Sequence, residues 1–505
     1  SIFLTTFILA IFNNISLPRK LSLKLEPMLI LLSLIFLILI VYFNKYQFIK
    51  RNREFIIISL CSVYFTSVLI FLLKNDYYIL NAVSEKGHFL NALVTKYKYL
   101  EGFLDFNYQN LSAISFPLYF YLLGKIAWLL DLKSALIIKL GVISLNFILP
   151  IISYYFWNKV VNKKIAMLTT ITSGLILFDL ELLVYKPWQV ISIVIFVPWW
   201  IIFGEKSKEF VKEQKNYKYF LIMGGLLGSL IIRTYYYCFL IVFIYLCVSL
   251  IENLFFNDSL QNKLLKNQVY ILGLSLIFSI NYWSSLLLDF FRYEINSFGN
   301  RLIDLELLNF TRYLTELDLV NVLLLIGLLY LVFTLKQKIN KVVFKFIIAS
   351  YICYFIWYLS IIYNYSLGDF RLDLLINYLL LIGFSLFVGD FLKFKIDKSK
   401  FKILFILLFI LIFAIVGQDF VKVSFAKAKN NINKANERLI NKIKQIDNYQ
   451  SKVFLTNQFN LSGRLPLFYF INQNINYAHP LSNYLERVRF LQDITKLDSS
   501  SDFLN

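Results

Sequence analysis

Between residues 76 and 105 this chain places four carboxylates, Asp76, Glu85, Glu101 and Asp105, with a histidine, His88, among them. A carboxylate held at a membrane surface can act as general base on a hydroxyl, a role worth about 100- to 10,000-fold in rate. The same acids, left in solvent, would only pair weakly with Lys86, Lys96 and Lys98. Both readings stay open from the residues alone.

Other groups suit binding better than proton transfer. Asp179 and Glu181 stand just before VYKPWQ, Val184 to Gln189. Ionisable groups at the edge of an apolar bundle are costly unless they face a cavity or partner, or snorkel to the headgroups. Arg233 precedes Tyr235, Tyr236 and Tyr237, a pattern that could hold a lipid phosphate beside aromatic rings or serve as an aromatic belt with its anchor. Arg292, in DFFRYEINSFGNR, and Arg371, in YSLGDFRLD, are candidate phosphate clamps unless they pair with neighbouring acids. His479, in NYAHPLSNYLERVRFL, has no Cys or His nearby, and a lone histidine is more often structural than a metal ligand.

These residues hang on apolar runs. The 505 residues are 59% hydrophobic and 18% aromatic, with a mean hydropathy of +0.65, which predicts a polytopic membrane protein. Runs long enough to cross lie near 27–44, 55–73, 137–157, 165–180, 188–203, 219–233, 235–251, 268–287, 319–335, 344–363, 373–391 and 403–417. With the run Ile2 to Phe12, read as a truncated helix or processed start and not a cleaved signal peptide, they predict about thirteen helices. Lysine-rich connections at 45–53, 159–164, 206–218, 263–266, 336–345 and 393–402 belong in the cytoplasm by the positive-inside pattern. Alternate connections then lie outside. That count makes Phe116 to Leu130 an interfacial or re-entrant helix of a long first external loop, 75–134.

The expected architecture is a membrane domain over 1–417 and an external tail over 418–505, with a polar helix and the strand-like SKVFLT. The net charge of +20 sits between apolar runs and not on one accessible face, which argues against nucleic-acid binding. Cys61, Cys238, Cys247 and Cys353 lie inside apolar runs and read as packing residues. No phosphate-binding glycine loop or dinucleotide fingerprint occurs, against nucleotide-driven pumping within this chain.

Several segments together resemble the membrane-bound arabinofuranosyltransferases that prime galactan in mycobacterial and corynebacterial walls, members of the GT-C class. Phe89, Asp105-Phe106-Asn107-Tyr108 and SFPLYFYLLGKIA from Ser115 to Ala127 are similar to that family's first external loop. Lys186-Pro187-Trp188-Gln189 before IFVPWW is similar to its K-P-Y-E segment, and Tyr477, His479, Pro480, Leu481 and Arg487 to its Y-x-H-P-L stretch. The chain departs where the family has an Asp beside the loop helix, here Glu85 and Lys86. Phe116 replaces the first Pro of Y-P-P, and Gln189 the Glu of K-P-Y-E.

The resemblance implies a GT-C-like bundle at the plasma membrane, with catalytic loop and tail outside. It implies inverting transfer of an arabinofuranose-like sugar from a polyprenyl-phosphate donor to a cell-envelope glycan. Glu85 or Asp105 would be the base. His88, Tyr108, Pro117, Tyr119, Asp179, Lys186, Trp188, Gln189, Arg233, Arg292, Arg371 and His479 would line the substrates. A divalent cation is the one cofactor it leaves room for. With family acids missing at two points, a scaffold that has lost catalysis and a lipid-linked glycan flippase are the competing expectations.

Overall fold

The computed structural model describes residues 46–73, 85–114, 117–177, 182, 186–207, 217–256, 259–293, 319–362, 372–391, 434–456, 459–472 and 478–494. The expected spans at 27–44 and 403–417, the N-terminal run, Asp179 and Arg371 lie outside the described residues. Within them the chain is almost wholly helical. A bilayer leaves backbone N–H and C=O groups no water, so each segment must satisfy them internally.

The described helices are α1 (Arg53–Leu73), α2 (Glu85–Tyr99), α3 (Pro117–Leu129), α4 (Ser134–Val160), α5 (Lys163–Leu177) and α6 (Pro187–Trp199), the last continued by a wider π-helical turn, Trp200–Glu205. They continue as α7 (Tyr217–Thr234), α8 (Tyr237–Phe256), α9 (Ser259–Phe278), α10 (Ile280–Arg292), α11 (Leu319–Phe333), α12 (Lys338–Ile362) and α13 (Leu372–Phe391). Five described stretches are long and apolar enough to cross unaided: Ser134–Val160, Pro187–Glu205, Tyr237–Phe255, Lys338–Ser360 and Leu372–Phe391. The bent pair α9 and α10 makes a sixth if it counts as one span. The protein is an all-α polytopic membrane protein.

α6 and α13 are buried on nearly every side and form the axis of the bundle. Around them α4, α8 and α12 expose Phe147, Ile148, Phe243, Leu254 and Phe355, the apolar outer surface that lipid requires. Small residues set the closest crossing, as is usual where lipid supplies no hydrophobic drive between helices. A Cβ on Gly327 of α11 would collide with the Leu380 carbonyl of α13, and one on Gly383 would lie 2.7 Å from the Gly327 carbonyl.

The described parts of the basic connections collect at one end. There Lys206 Nζ donates to the carbonyls of Lys159 and Val160 at 2.9 and 3.3 Å, and Glu252 pairs with Lys341 and Lys345. Glu205 accepts from Tyr245 and Gln268 at 2.6 and 2.8 Å. α2, α3 and the C-terminal segment lie at the other end.

One expected span is broken. The run at 268–287 divides at Ser279 into α9 and α10, which meet at 74°. Ser275 and Ser279 hydroxyls donate to the carbonyls of Ile271 and Ser275 at 2.7 and 2.8 Å, and such back-bonding bends helices. Arg233 Nη2 donates to the Phe278 carbonyl freed by the break. α10 then turns Tyr282, Leu286 and Asp289 inward along one stripe.

The C-terminal segment has α14 (Lys434–Lys444), a parallel pair β1 (Val453–Phe454) and β2 (Phe468–Tyr469), and α15 (Tyr484–Ile494). Ile440, Ile443, Leu461, Leu465, Leu467 and Tyr469 form its small core.

Candidate active site

α2 and α3 cross with their backbones nearly in contact: a Cβ on Gly124 would sit 2.7 Å from the Tyr97 carbonyl carbon. α3 buries Pro117, Phe120, Leu123 and Ala127 inward and exposes Leu122, Ile126, Trp128 and Leu129. At 13 residues it is about 20 Å long, short of the hydrocarbon thickness.

Between these helices the chain folds into a hairpin. Gly102 and Asn110 take positive φ values of 78° and 65°, the left-handed conformation that favours Gly and Asn at reversals. Asp105 N–H donates to Leu111 O at 2.8 Å, and Ala113 N–H to Phe103 O at 2.7 Å. Asp105 organises the turn: its Oδ1 accepts the N–H groups of Asn107 and Tyr108 at 2.9 and 2.7 Å.

Two distant segments close over the hairpin. Asp289 Oδ2, on α10, accepts the Ser112 N–H at 2.6 Å. His479 Nε2 lies 3.1 Å from the carbonyl of the same Ser112, and the Leu481 N–H donates to His479 Nδ1 at 3.2 Å. With Nδ1 accepting, the proton belongs on Nε2, so these partners select the neutral imidazole. Tyr469 N–H donates to Asn107 O at 2.8 Å, and Asn472 N–H to the Tyr108 hydroxyl at 3.3 Å. Arg487 lies over the rings of Tyr108 and Phe470, 5.2 and 5.1 Å from their centres.

The cluster is buried, and burial sets its protonation. Burial pushes Asp105 above the usual carboxylate range, against the opposing pull of His479, the two backbone N–H groups and Lys96. Burial lowers His479, while Asp105, the Ser112 carbonyl and Asp289 favour its charged form. Burial also raises the Tyr108 phenol to about 12. A carboxylate with a raised pKa is a stronger base toward a hydroxyl.

Lys96 ties loop to tail. It is 1% exposed, donates to the carbonyls of Pro466 and Leu467 at 3.1 and 2.8 Å, and lies 3.4 Å from the centre of the Phe468 ring. Burial pulls its pKa down to about 7, with Asp105 opposing. Because the folded value lies below the unfolded one, the unfolded state binds more protons between about pH 7 and 10.5, and the docked state gains stability as pH rises through that window. Protection of the tail from limited proteolysis should therefore increase from pH 7 to pH 10 in the wild type. Lys96→Met should flatten that dependence.

The other expected site residues divide. Tyr108 and His479 join Asp105. Glu85 and His88 fall on the first turn of α2, and their side chains lie outside the described residues. Pro117 opens α3, Lys186 caps the start of α6 through its backbone, and Trp188 packs on Phe120 with ring centres 5.0 Å apart. Gln189 is buried, and its Oε1 has no hydrogen-bond partner. Tyr119 is half-buried, with its hydroxyl against Gly141 of α4. Arg233 serves the α9 to α10 break, away from the cluster. Arg292 is exposed at the end of α10, three residues after Asp289. Among the described residues no group of three or more His, Cys, Asp or Glu side chains is placed to hold a metal ion.

Asp289, Lys96 and Arg487 were not among the expected site residues. For Asp289 a signal existed: an acid at the third position of the apolar stripe Tyr282, Leu286, Asp289. For Lys96 none did, because its partners lie 370 and 371 residues away.

No protein-family model matches the chain, and no curated protein matches it in sequence. Among solved structures it is similar to the oligosaccharyltransferase of Archaeoglobus fulgidus, crystallised tethered by a disulfide bond to an acceptor peptide containing the NVT sequon. The TM-score is 0.49 at 12% identity, covering 86% of this chain and 64% of that one, so this chain spans less than two thirds of its neighbour.

Proposed function

We propose that the chain is a GT-C-type glycosyltransferase that moves a sugar, arabinofuranose-like, from a polyprenyl-phosphate donor to a cell-envelope glycan at the outer face of the plasma membrane. One observation carries this reading: the segments that resemble the galactan arabinofuranosyltransferases are far apart in the chain and pair in space. The Asp105 to Tyr108 turn meets the His479 and Arg487 segment across Ser112 and the Tyr108 ring. The α3 segment meets Lys186 to Gln189 through Phe120 and Trp188. The position of the hairpin and tail opposite the basic connections supports the external orientation.

In this reading an acceptor hydroxyl gives its proton to the carboxylate of Asp105, with Glu85 the other candidate base. Its oxygen attacks the anomeric carbon as the bond to the phosphate oxygen breaks, and the lipid phosphate leaves with the electron pair. Attack opposite the leaving group inverts the anomeric centre. His479, neutral and fixed by Ser112 and Leu481, holds the hairpin, while Asp289 anchors Ser112 from α10.

A second reading has its own observation. Asp105 Oδ1 is engaged by two backbone N–H groups, as in a purely structural turn, which favours a scaffold that has lost catalysis. Membranes carrying the chain, given a polyprenyl-phosphoryl sugar labelled in the sugar, separate the two. Label entering the glycan in proportion to the protein supports transfer. Label remaining on the lipid supports the scaffold.

A further inference from the structure

Two helices begin at one depth inside the bundle, and several buried polar atoms near their starts have no hydrogen-bond partner. α3 and α6 open with Pro117 and Pro187, and Phe120 touches Trp188 one or two positions in. α4 borders both and gives the depth. On its α6 side, Trp157 Nε1 donates to the Tyr378 hydroxyl at 3.0 Å, and that hydroxyl lies 3.5 Å from the Val194 carbonyl. Lys206 reaches the carbonyls of Lys159 and Val160, so α4 and α6 run parallel. Counting back about 1.5 Å per residue, with side chains leaning toward the helix start, brings Pro187 level with Asn146. Asn146 and Trp157 share the buried stripe of α4 that runs through Val142, Asn146, Leu149, Ser153, Trp157 and Val160. Asn146 therefore faces the start of α6.

On the α3 side, a Cβ on Gly141 would lie 2.9 Å from the Leu123 side chain and 3.1 Å from the Tyr119 hydroxyl. α3 and α4 are antiparallel across a short turn, so Pro117, nearly two turns deeper than Leu123, also lies about level with Asn146. Asn146 is 1% exposed, and neither its Oδ1 nor its Nδ2 has a hydrogen-bond partner. The buried Gln189 Oε1, Ser192 Oγ and Tyr119 hydroxyl lack partners as well, and no side chain caps α6. Each unsatisfied buried group costs about 1–3 kcal/mol. Several beside the positive ends of two helices make a seat for an anion.

We propose that this locus holds a phosphate group, specifically that of the polyprenyl-phosphate donor, with Asn146 and Gln189 as its side-chain donors. Burial selects the source: Asn146, twelve residues into α4, is 1% exposed among the helices of the bundle, where a phosphate arrives on a lipid. The inference rests on the donor class of the preceding subsection, and the test separates the two.

Purified protein in nanodiscs is titrated with decaprenyl phosphate, decaprenol and inorganic phosphate, comparing wild type with Asn146→Leu and Gln189→Met. Each variant should bind decaprenyl phosphate about tenfold or more weakly, the effect of losing a hydrogen bond to a charged group, and bind decaprenol as before. Neither should melt lower than wild type, because each removes an unsatisfied amide. If the wild type prefers decaprenyl phosphate to decaprenol and both variants keep that preference, the seat is elsewhere and the donor reading survives. If the wild type has no such preference, both fall. Displacement of the lipid by millimolar inorganic phosphate would keep the phosphate seat and overturn the lipid as its source.

Discussion

Asp105→Asn is expected to lower sugar transfer about 100- to 10,000-fold in membranes containing equal amounts of wild-type and variant protein. The substitution is close to isosteric. An Asn side-chain oxygen still accepts the N–H groups of Asn107 and Tyr108 that Asp105 Oδ1 accepts at 2.9 and 2.7 Å, so the hairpin keeps its turn while the base is removed. Transfer by the wild type should also fall as pH is lowered, because the carboxylate must be ionised to take a proton. Burial raises that carboxylate, which places the acid limb above the ordinary carboxylate range. Glu85→Gln is the companion measurement. If Glu85→Gln silences transfer and Asp105→Asn leaves it intact, the base sits on the first turn of α2 and Asp105 is structural.

The second large effect is expected at Gly124. A side chain there would meet the Tyr97 carbonyl carbon and Cβ at 2.7 Å and the Lys98 nitrogen at 2.9 Å, and backbone cannot swing aside as a flexible side chain can. Gly124→Leu should force α3 off α2, at a cost of about 1–3 kcal/mol or more. Because α3 leads directly from the hairpin, a shift of about 1 Å should also cost on the order of 100-fold in transfer. Gly273→Leu is the control, since a Cβ there meets nothing within 4 Å. A melting curve and a transfer assay on both variants check this: Gly124→Leu should fail in each, and Gly273→Leu should match the wild type.

Much of the scaffold can be read from the chain because a bilayer leaves apolar segments few options. Runs at 137–157 and 373–391 lie within α4 and α13, and the run at 344–363 coincides with α12 up to Ile362. The break at Ser279 could not be read that way, since an apolar run looks the same through a bend. What bends it is a pair of serine back-bonds and an arginine from α7. The partner of Gly124 could not be read either, because the contact is with the backbone of α2.

The site was legible in part. Asp105, Tyr108 and His479 can be picked out from their segments, yet only folding sets His479 against the hairpin that carries the other two. Lys96 reads as a solvated partner for loop acids. It is instead buried beneath Phe468 and satisfied by tail carbonyls, a role no local pattern announces. Arg233 reads either as a lipid-phosphate contact or as the anchor of an aromatic belt, and its guanidinium meets the end of α9. Asp289 shares the inward stripe of Tyr282 and Leu286, but its contact with Ser112 appears only when α10 turns across the hairpin.

The central claim is that the chain breaks the bond between a sugar and a lipid phosphate and joins that sugar to a glycan. The direct measurement uses purified protein with a polyprenyl-phosphoryl arabinofuranose labelled in both sugar and lipid, plus a galactan acceptor. Sugar label appearing in the glycan and free lipid phosphate appearing in equal amounts, both lost in Asp105→Asn, is the predicted result. Intact doubly labelled lipid after long incubation with acceptor, whether or not it has crossed the bilayer, would contradict it.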